Sequence, residues 1–348
     1  MTKDLEETPL AGKRILLLGI GFYDYDVAIA NEMRRLGAEV EVLSEQPSIL
    51  RSRIAPIIRQ LPRWLKLAQI RYKEYILHRI RAMGRIDQVL IIKCETLDEQ
   101  FIATLRDVAP TAWITAFQWD SMRRYPNLLP RQKMFDKVFT FDHIDALLHS
   151  QFSLRPNFFR RELTDLTAAS QDIDLCFVGW LHHDRLNLLD SLREQANEQK
   201  LTRFFHLYTG RWTAMKLNAT KRGTDVSTRQ LSFADYAWAA ARSRVLIDLP
   251  HPNQSGLSMR AIDALGLGRK LITTAQDIKH YNFYRPENIA IIDLKNPVID
   301  PAFLTTPMID VPPEIIASYG FAAWAKDITG VTEPSEFVHR DLRRQAKR

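Results

Sequence analysis

The chain has 348 residues, 46% of them apolar and 26% charged, with a formal net charge of +7. That length and apolar content allow two ordinary domains with full cores. No run approaches the roughly 20 apolar residues of a membrane-spanning helix, which excludes a transmembrane bundle.

The opening MTKDLEETPLAGKR is acidic and lacks the apolar centre of a signal peptide, so a cytoplasmic protein is expected. Cys94 and Cys176 each sit in or beside a strand-like run, as small buried residues rather than a disulfide or zinc framework.

In chain order, strands are predicted at RILLLGI, AEVEVLS, IDQVLIIK, TAWITAF and KVFTF, with helices near 26–36, 48–83, 97–107 and 143–149. Alternation of this kind builds right-handed βαβ crossovers and a parallel sheet covered on both faces. Residues 151–172 lose the periodicity and read as a linker, closing a first domain over 1–150. A second alternation, over 173–312, has strands at IDLCFVGW, RFFHLYTG, SRVLIDL, RKLITT and NIAIIDL and helices starting near Asp184, Ser232 and Gly256. Residues 313–348 add a helix near 313–328 and a basic tail. The expected fold class is therefore α/β, with two Rossmann-like doubly wound domains facing a cleft that holds the site.

The excess charge is local. Residues 51–85 carry ten Lys and Arg against Glu74, interleaved with Ile, Leu, Trp64, Tyr72 and Tyr75. Such a segment suits an anionic membrane surface, or equally a solvated helix whose apolar side faces the core. No nucleic-acid-binding motif accompanies the charge, and no nucleic-acid partner is expected.

Two loops suggest chemistry. Gly19-Ile20-Gly21 follows the first strand as in a dinucleotide fingerprint, but Asp24 stands where a third glycine belongs and would oppose a pyrophosphate. Either the glycines only allow a tight turn, or Tyr23 and Asp24 meet a sugar hydroxyl. The rival reading of this loop, with Glu45 after the second strand, is an NAD(P)-dependent oxidoreductase. The second loop lies in DLPHPNQSGLSMRAIDALGLGRKLITT, residues 248–274. A helix opening at Ser255-Gly256-Leu257 offers unpaired amides to a diphosphate. Arg260 and Asp263, three apart, share a face and suit phosphate and ribose, or form an ordinary surface pair.

The order strand, proline-containing loop, Gly-Leu, acidic helix, glycine, basic residue and LIT resembles the donor-nucleotide element of GT-B-fold glycosyltransferases. With QWDSMRRYPN, FDKVFTFDHID and DIDLCFVGWLHHDR, the chain from about 14 to 330 is similar to bacterial GT-B enzymes of lipopolysaccharide, O-antigen and capsule synthesis. The resemblance implies transfer of a sugar from a nucleotide-sugar donor to a glycan acceptor; the location of the basic segment alone adds the expectation that the enzyme is peripheral at the inner membrane face, where a lipid-linked acceptor would be found. It implies donor contacts from Gly179, His182, Arg185, Gly210, Arg211, Ser255, Gly256, Leu257, Arg260 and Asp263. Asp120, directly after TAWITAF, is the first candidate for the base that deprotonates the acceptor, and Asp24 the second. Asp120 reads equally as a helix N-cap. No organic cofactor and no metal are expected, because helix dipoles and cations stabilise the leaving diphosphate in such folds. Many retaining members carry two glutamates eight positions apart; Ser255 stands eight before Asp263, so the stereochemical outcome stays open. A non-catalytic protein that binds sugar nucleotides remains the other alternative.

Overall fold

A computed structural model describes residues 8–51, 55–181, 183–219 and 225–339. They form two compact units, 8–156 with 322–335 and 157–321 with 336–339.

The first unit runs β1 (Arg14–Gly19), α1 (Tyr25–Arg35), β2 (Glu39–Ser44), α2 (Ala55–Arg59), α3 (Pro62–Met83), β3 (Gln88–Ile92), α4 (Glu99–Val108), β4 (Trp113–Gln118), β5 (Lys137–Thr140), α5 (His143–Leu148) and β6 (Phe152–Leu154). All pairings are parallel, in the order β2-β1-β3-β4-β5-β6. β3 is buried at every residue and β1 and β4 at all but the first, which explains their unbroken apolar runs: helices cover both faces. Starting from β1, the chain builds outward to β2 and then crosses back to β3, so the topological switch point lies between β1 and β3.

The second unit runs α6 (Arg161–Thr164), β7 (Ile173–Trp180), α7 (His183–Glu198), β8 (Arg203–Tyr208), α8 (Arg211–Ala219), β9 (Val226–Ser227), α9 (Phe233–Ala241), β10 (Ser243–Asp248), α10 (Met259–Leu267), β11 (Lys270–Thr273), β12 (Ile289–Ile291), α11 (Pro301–Thr305) and α12 (Pro313–Ser318). Its parallel sheet, β12-β11-β10-β7-β8-β9, is the Rossmann strand order with the switch between β7 and β10. The two doubly wound units expected from the sequence are present.

Four local differences have physical causes. The predicted 48–83 helix is divided into a 3-10 turn at Ser48–Arg51, α2 and α3, with Pro62 opening α3, where a missing N–H does no harm. The linker stretch holds β6, which extends the first sheet beside β5, and α6. The helix predicted from Ser255 begins at Met259, because the Ser258 hydroxyl accepts the Ala261 amide and caps it there. The last helical stretch breaks at Tyr319-Gly320 into α12 and α13 (Phe321–Ile328).

Residues 322–335 bring the chain back into the first unit. Trp324 is fully buried edge-on to Phe117 at 5.1 Å, Arg155 pairs with Asp327 at 2.7 Å, and the Gln88 amide donates to the Ile328 carbonyl at 2.8 Å. In the second unit, Gly266 faces the Phe159 ring so closely that a Cβ would lie 2.4 Å from it.

Candidate functional site

The second unit places its most organised polar cluster at the switch point, where β7 and β10 end and α10 begins. Asp248, the last residue of β10, is fully buried. One of its carboxylate oxygens accepts from the Ser258 hydroxyl and from Arg260, both at 2.7 Å. Arg260 donates a second bond to the Val178 carbonyl at 2.6 Å and lies over the Phe177 ring at 5.0 Å. The guanidinium is thus clamped from three sides in the first turn of α10, with N–H groups to spare for an anion. Asp248 supplies the clamp, and the sequence reading treated it only as the end of a strand. A buried acid closing a strand just before a serine-capped helix was the available signal.

Gly179 lies against the clamp. A Cβ there would sit 3.1 Å from the Arg260 guanidinium and 3.0 Å from Phe177, so the missing side chain makes room for the clamp. Ser255 is half-buried and Gly256 and Leu257 are buried, with the Leu257 carbonyl accepting the Asn157 amide at 2.9 Å. The amide groups at a helix start therefore belong to 258–260, three residues beyond the predicted position.

Asp263 is also buried. It accepts the Tyr236 hydroxyl at 2.8 Å, which ties α10 to α9. Burial pushes its carboxyl up to about 7, opposed by the Tyr236 bond and the Arg260 and Arg160 charges. The predicted Arg260–Asp263 face is not an ion pair, since Arg260 turns to Asp248 instead.

Beyond β7 and β8 lies a more open rim. Trp180 is half-exposed and edge-on to Tyr208 at 4.6 Å, and Arg185 donates to the Trp180 carbonyl at 2.9 Å. Gly210 has open space where a Cβ would point; Arg211 and Trp212, the latter 79% exposed, begin α8. His182 lies outside the described residues.

In the first unit the glycine loop is filled by the protein's own carboxylate. Asp26, buried in the first turn of α1, accepts the Gly21 amide at 2.7 Å and occupies the space where a Gly19 Cβ would be. A pyrophosphate on this loop would meet that negative charge, which disfavours the dinucleotide reading. Asp24 stands two residues earlier, exposed at the N-cap of α1 without a side-chain capping bond. Phe22, Tyr23, Tyr25 and Trp119 gather beside it, with Tyr25 5.1 Å and Phe22 6.5 Å from Trp119.

Across the switch point, the loop after β3 is held in an unusual conformation. Lys93 and Cys94 have φ of 70° and 50°, and Tyr23 on the loop after β1 has 51°. Each such residue costs about 1–3 kcal/mol and persists only where its surroundings impose it. Here Glu45, after β2, accepts the Glu95 and Thr96 amides at 2.8 and 3.0 Å, and Arg131 donates to the Cys94 and Leu97 carbonyls. Glu45 is thereby committed to the loop, not to a ribose. Its other oxygen is buried with no hydrogen-bond partner among the described residues. Burial pushes the Glu45 carboxyl up to about 7, against the pull of the two amides.

The strained loop aims Lys93 at Asp120. Their ion pair measures 2.9 Å, Arg124 adds a second at 3.2 Å, and the Lys93 ammonium lies 4.2 Å from the centre of the Tyr125 ring. Burial works against the Lys93 charge, but Asp120, Glu95 and Tyr125 outweigh it and raise its pKa. Asp120 caps no α-helix. Asp142 caps α5, accepting the Ile144 and Asp145 amides. Burial, then the Asp142 charge, push Asp145 up to about 7. Among the described residues no three His, Cys, Asp or Glu side chains are grouped to hold a metal ion, and no helix is long and apolar enough to cross a membrane.

No family model matches the chain, and no curated protein matches it. Among solved structures it is similar to AviGT4, a glycosyltransferase involved in avilamycin A biosynthesis, at a TM-score of 0.52 and 10% identity, over 94% of this chain and 100% of that one. An ABC sugar transporter subunit from Rhodobacter sphaeroides matches at a TM-score of 0.26 and 11% identity, over 82% and 87% of the two chains. The first likeness shows a shared two-domain α/β fold.

Proposed function

We propose that the protein is a GT-B glycosyltransferase. The second unit holds a nucleotide-activated sugar, and the first presents the hydroxyl of a glycan acceptor. The carrying observation is the Arg260 clamp: a cation fixed by Asp248 and Val178, in the first turn of α10, at the strand-order switch where doubly wound sheets bind ligands. A diphosphate there receives charge-assisted bonds and the positive end of the helix, both of which strengthen as negative charge develops on the leaving group. The shared fold with a glycosyltransferase supports the same reading.

In the first unit the aromatic shelf of Phe22, Tyr23 and Trp119 offers stacking faces for a sugar, beside two carboxylates. Asp120, paired with Lys93 and Arg124, and exposed Asp24 are our two candidates for the base that takes the acceptor proton. A cell-surface polysaccharide is the class of product that the sequence resemblance suggests.

Calorimetric titration of the full chain with UDP, GDP, dTDP and CMP tests the donor half. One nucleotide is expected to bind, and Arg260→Ala to weaken it by roughly a hundredfold, as for loss of a charge-assisted bond of about 3 kcal/mol. The Asn variant of the true base keeps that affinity and loses transfer. Binding of none of them, or unchanged affinity in Arg260→Ala, overturns the proposal.

A further inference from the structure

The amino edge of the first sheet holds a polar cavity, at the opposite end of the strands from the switch-point loops. Its wall is built by residues at strand starts, Gln88 on β3, Trp113 on β4 and Lys137 on β5, by Lys13 just before β1, and by Thr329 and Gly330, which follow α13 in the segment that returns to this unit. Its volume of about 310 Å³ reaches the range of small-molecule sites. At about 3.3 Å per residue, the five residues of β3 put about 16 Å between this edge and the loop that carries Lys93.

Gln88 is 2% exposed, and its side-chain nitrogen donates to the Thr115 hydroxyl and to the Ile328 carbonyl, both at 2.8 Å. A carbonyl only accepts, so the second bond fixes which end of the amide is which. Gln88 Oε1 is consequently an acceptor of fixed direction, buried and without a hydrogen-bond partner among the described residues. Native interiors leave few such atoms. Two ammonium groups with donors to spare share the wall. Lys13 spends one N–H on the Thr329 carbonyl at 2.9 Å and forms no ion pair among the described residues. Lys137 has only Glu333 as a carboxylate partner among them, at 3.7 Å, and that side chain is 87% exposed. The other two carboxylates of the wall are already engaged: Asp87 accepts the Arg14 amide at 2.8 Å and Arg85 at 2.7 Å, and Asp327 pairs with Arg155. Trp113 and Phe139 supply the apolar remainder.

We propose that this cavity binds a small hydroxylated anion, a sugar acid or a sugar phosphate. The anionic group takes the two lysine ammoniums, and a ligand hydroxyl donates to Gln88 Oε1. A hydroxyl is the donor that fits, since an ammonium on the ligand would face Lys13 and Lys137. Because the wall joins strand starts to residues 329–330, a bound ligand ties the returning segment to the sheet. None of the groups proposed for sugar transfer lines the cavity, and binding there requires no turnover.

The test is calorimetric titration of the full chain with glucuronate and with glucose 1-phosphate, beside glucose and acetate, which each carry one half of the pattern. At least one of the two anionic sugars is expected to bind with a Kd below about 1 mM, and glucose and acetate at least about tenfold more weakly. Which of the two binds decides between carboxylate and phosphate as the anionic group. Lys13→Gln with Lys137→Gln should weaken binding by about a hundredfold, about tenfold for each charge-assisted bond. Glu333→Gln frees Lys137 and should tighten binding about twofold to fivefold, a gain that a misfolded variant does not produce. The bound sugar should slow amide exchange in peptides of 322–335 and leave those of 93–97 unchanged, and Arg260→Ala should bind it as the wild type does. Binding of neither anionic sugar, glucose or acetate binding as tightly as they do, or full affinity in the double lysine variant overturns the proposal. So does loss of binding in Arg260→Ala, which would place the ligand at α10.

Discussion

Glu45→Gln separates ionisation from architecture at the first unit's switch point. Glutamine keeps an acceptor for the Glu95 and Thr96 amides and the volume of the side chain, but cannot ionise. In the wild type the carboxyl titrates near 7 when folded, against 4.5 ordinarily. Below pH 4.5 both states are protonated and the fold has its full stability. Between the two values the unfolded chain releases the proton while the folded one retains it, so stability falls as pH rises and levels off above 7. With about 1.36 kcal/mol per unit, that fall amounts to about 2.5 kcal/mol between pH 5 and pH 8.5. The variant lacks this slope. Because a two-unit chain need not unfold in one step, the assay is amide hydrogen exchange of β3 peptides, taken as the difference between variant and wild type at each pH. Intrinsic exchange rates cancel in that difference. The variant should gain protection steadily with pH, by some sixtyfold to eightyfold over this window. A difference that does not change with pH would refute the burial argument for Glu45.

Two further predictions concern α10. Asp263→Asn retains an acceptor for Tyr236 and removes a buried charge, so its melting temperature should match the wild type below about pH 4 and exceed it progressively as pH rises to 7. Its nucleotide affinity should change by less than about threefold; a loss beyond about tenfold would assign the carboxylate to the ribose, since a tenfold loss corresponds to about 1.4 kcal/mol of direct contact. Gly266→Ala drives a methyl into the Phe159 ring and should destabilise the second unit by about 1–3 kcal/mol in urea, with partial recovery in the double variant that carries Phe159→Leu. A fully stable single variant would show that Phe159 moves aside freely.

The strands were legible because burial on both faces makes them uninterrupted apolar runs, a signal that needs no tertiary information. Their order was not: nothing local in RILLLGI or SRVLIDL says which neighbour each strand takes, and the switch points follow from that order. The same division runs through the site. Arg260 was recognisable as a cation near a helix start, yet its partner is twelve residues back at the end of a strand, not three residues on. Ser255 and Ser258 are equivalent as caps in the sequence; the Ser258 hydroxyl is also held by Asp248, a contact made only in the folded state. A similar ambiguity attended the glycine loop, where the missing third glycine drew attention to Asp24, while the carboxylate that fills the loop is Asp26.

These displacements have a common cause. For Arg260, Ser258 and Glu45 the decisive partner is distant in sequence: Asp248 for the first two, the Glu95 and Thr96 amides for the third. Buried polar groups that meet through long-range packing leave no periodic trace, because each is a single position in an otherwise apolar pattern. Asp248, Asp263 and Glu45 are all such positions: Asp248 closes β10, Glu45 follows β2, and Asp263 lies within α10 against Tyr236 of α9. A fold that exposes its strand ends to ligand needs rigid loops there, and buried carboxylates accepting backbone amides or clamping a cation supply that rigidity at the expense of local predictability. The strained backbone at Lys93 and Cys94 belongs to the same economy of design: Glu45 and Arg131 fix the loop from beneath, so that Lys93 meets Asp120 with its direction already set.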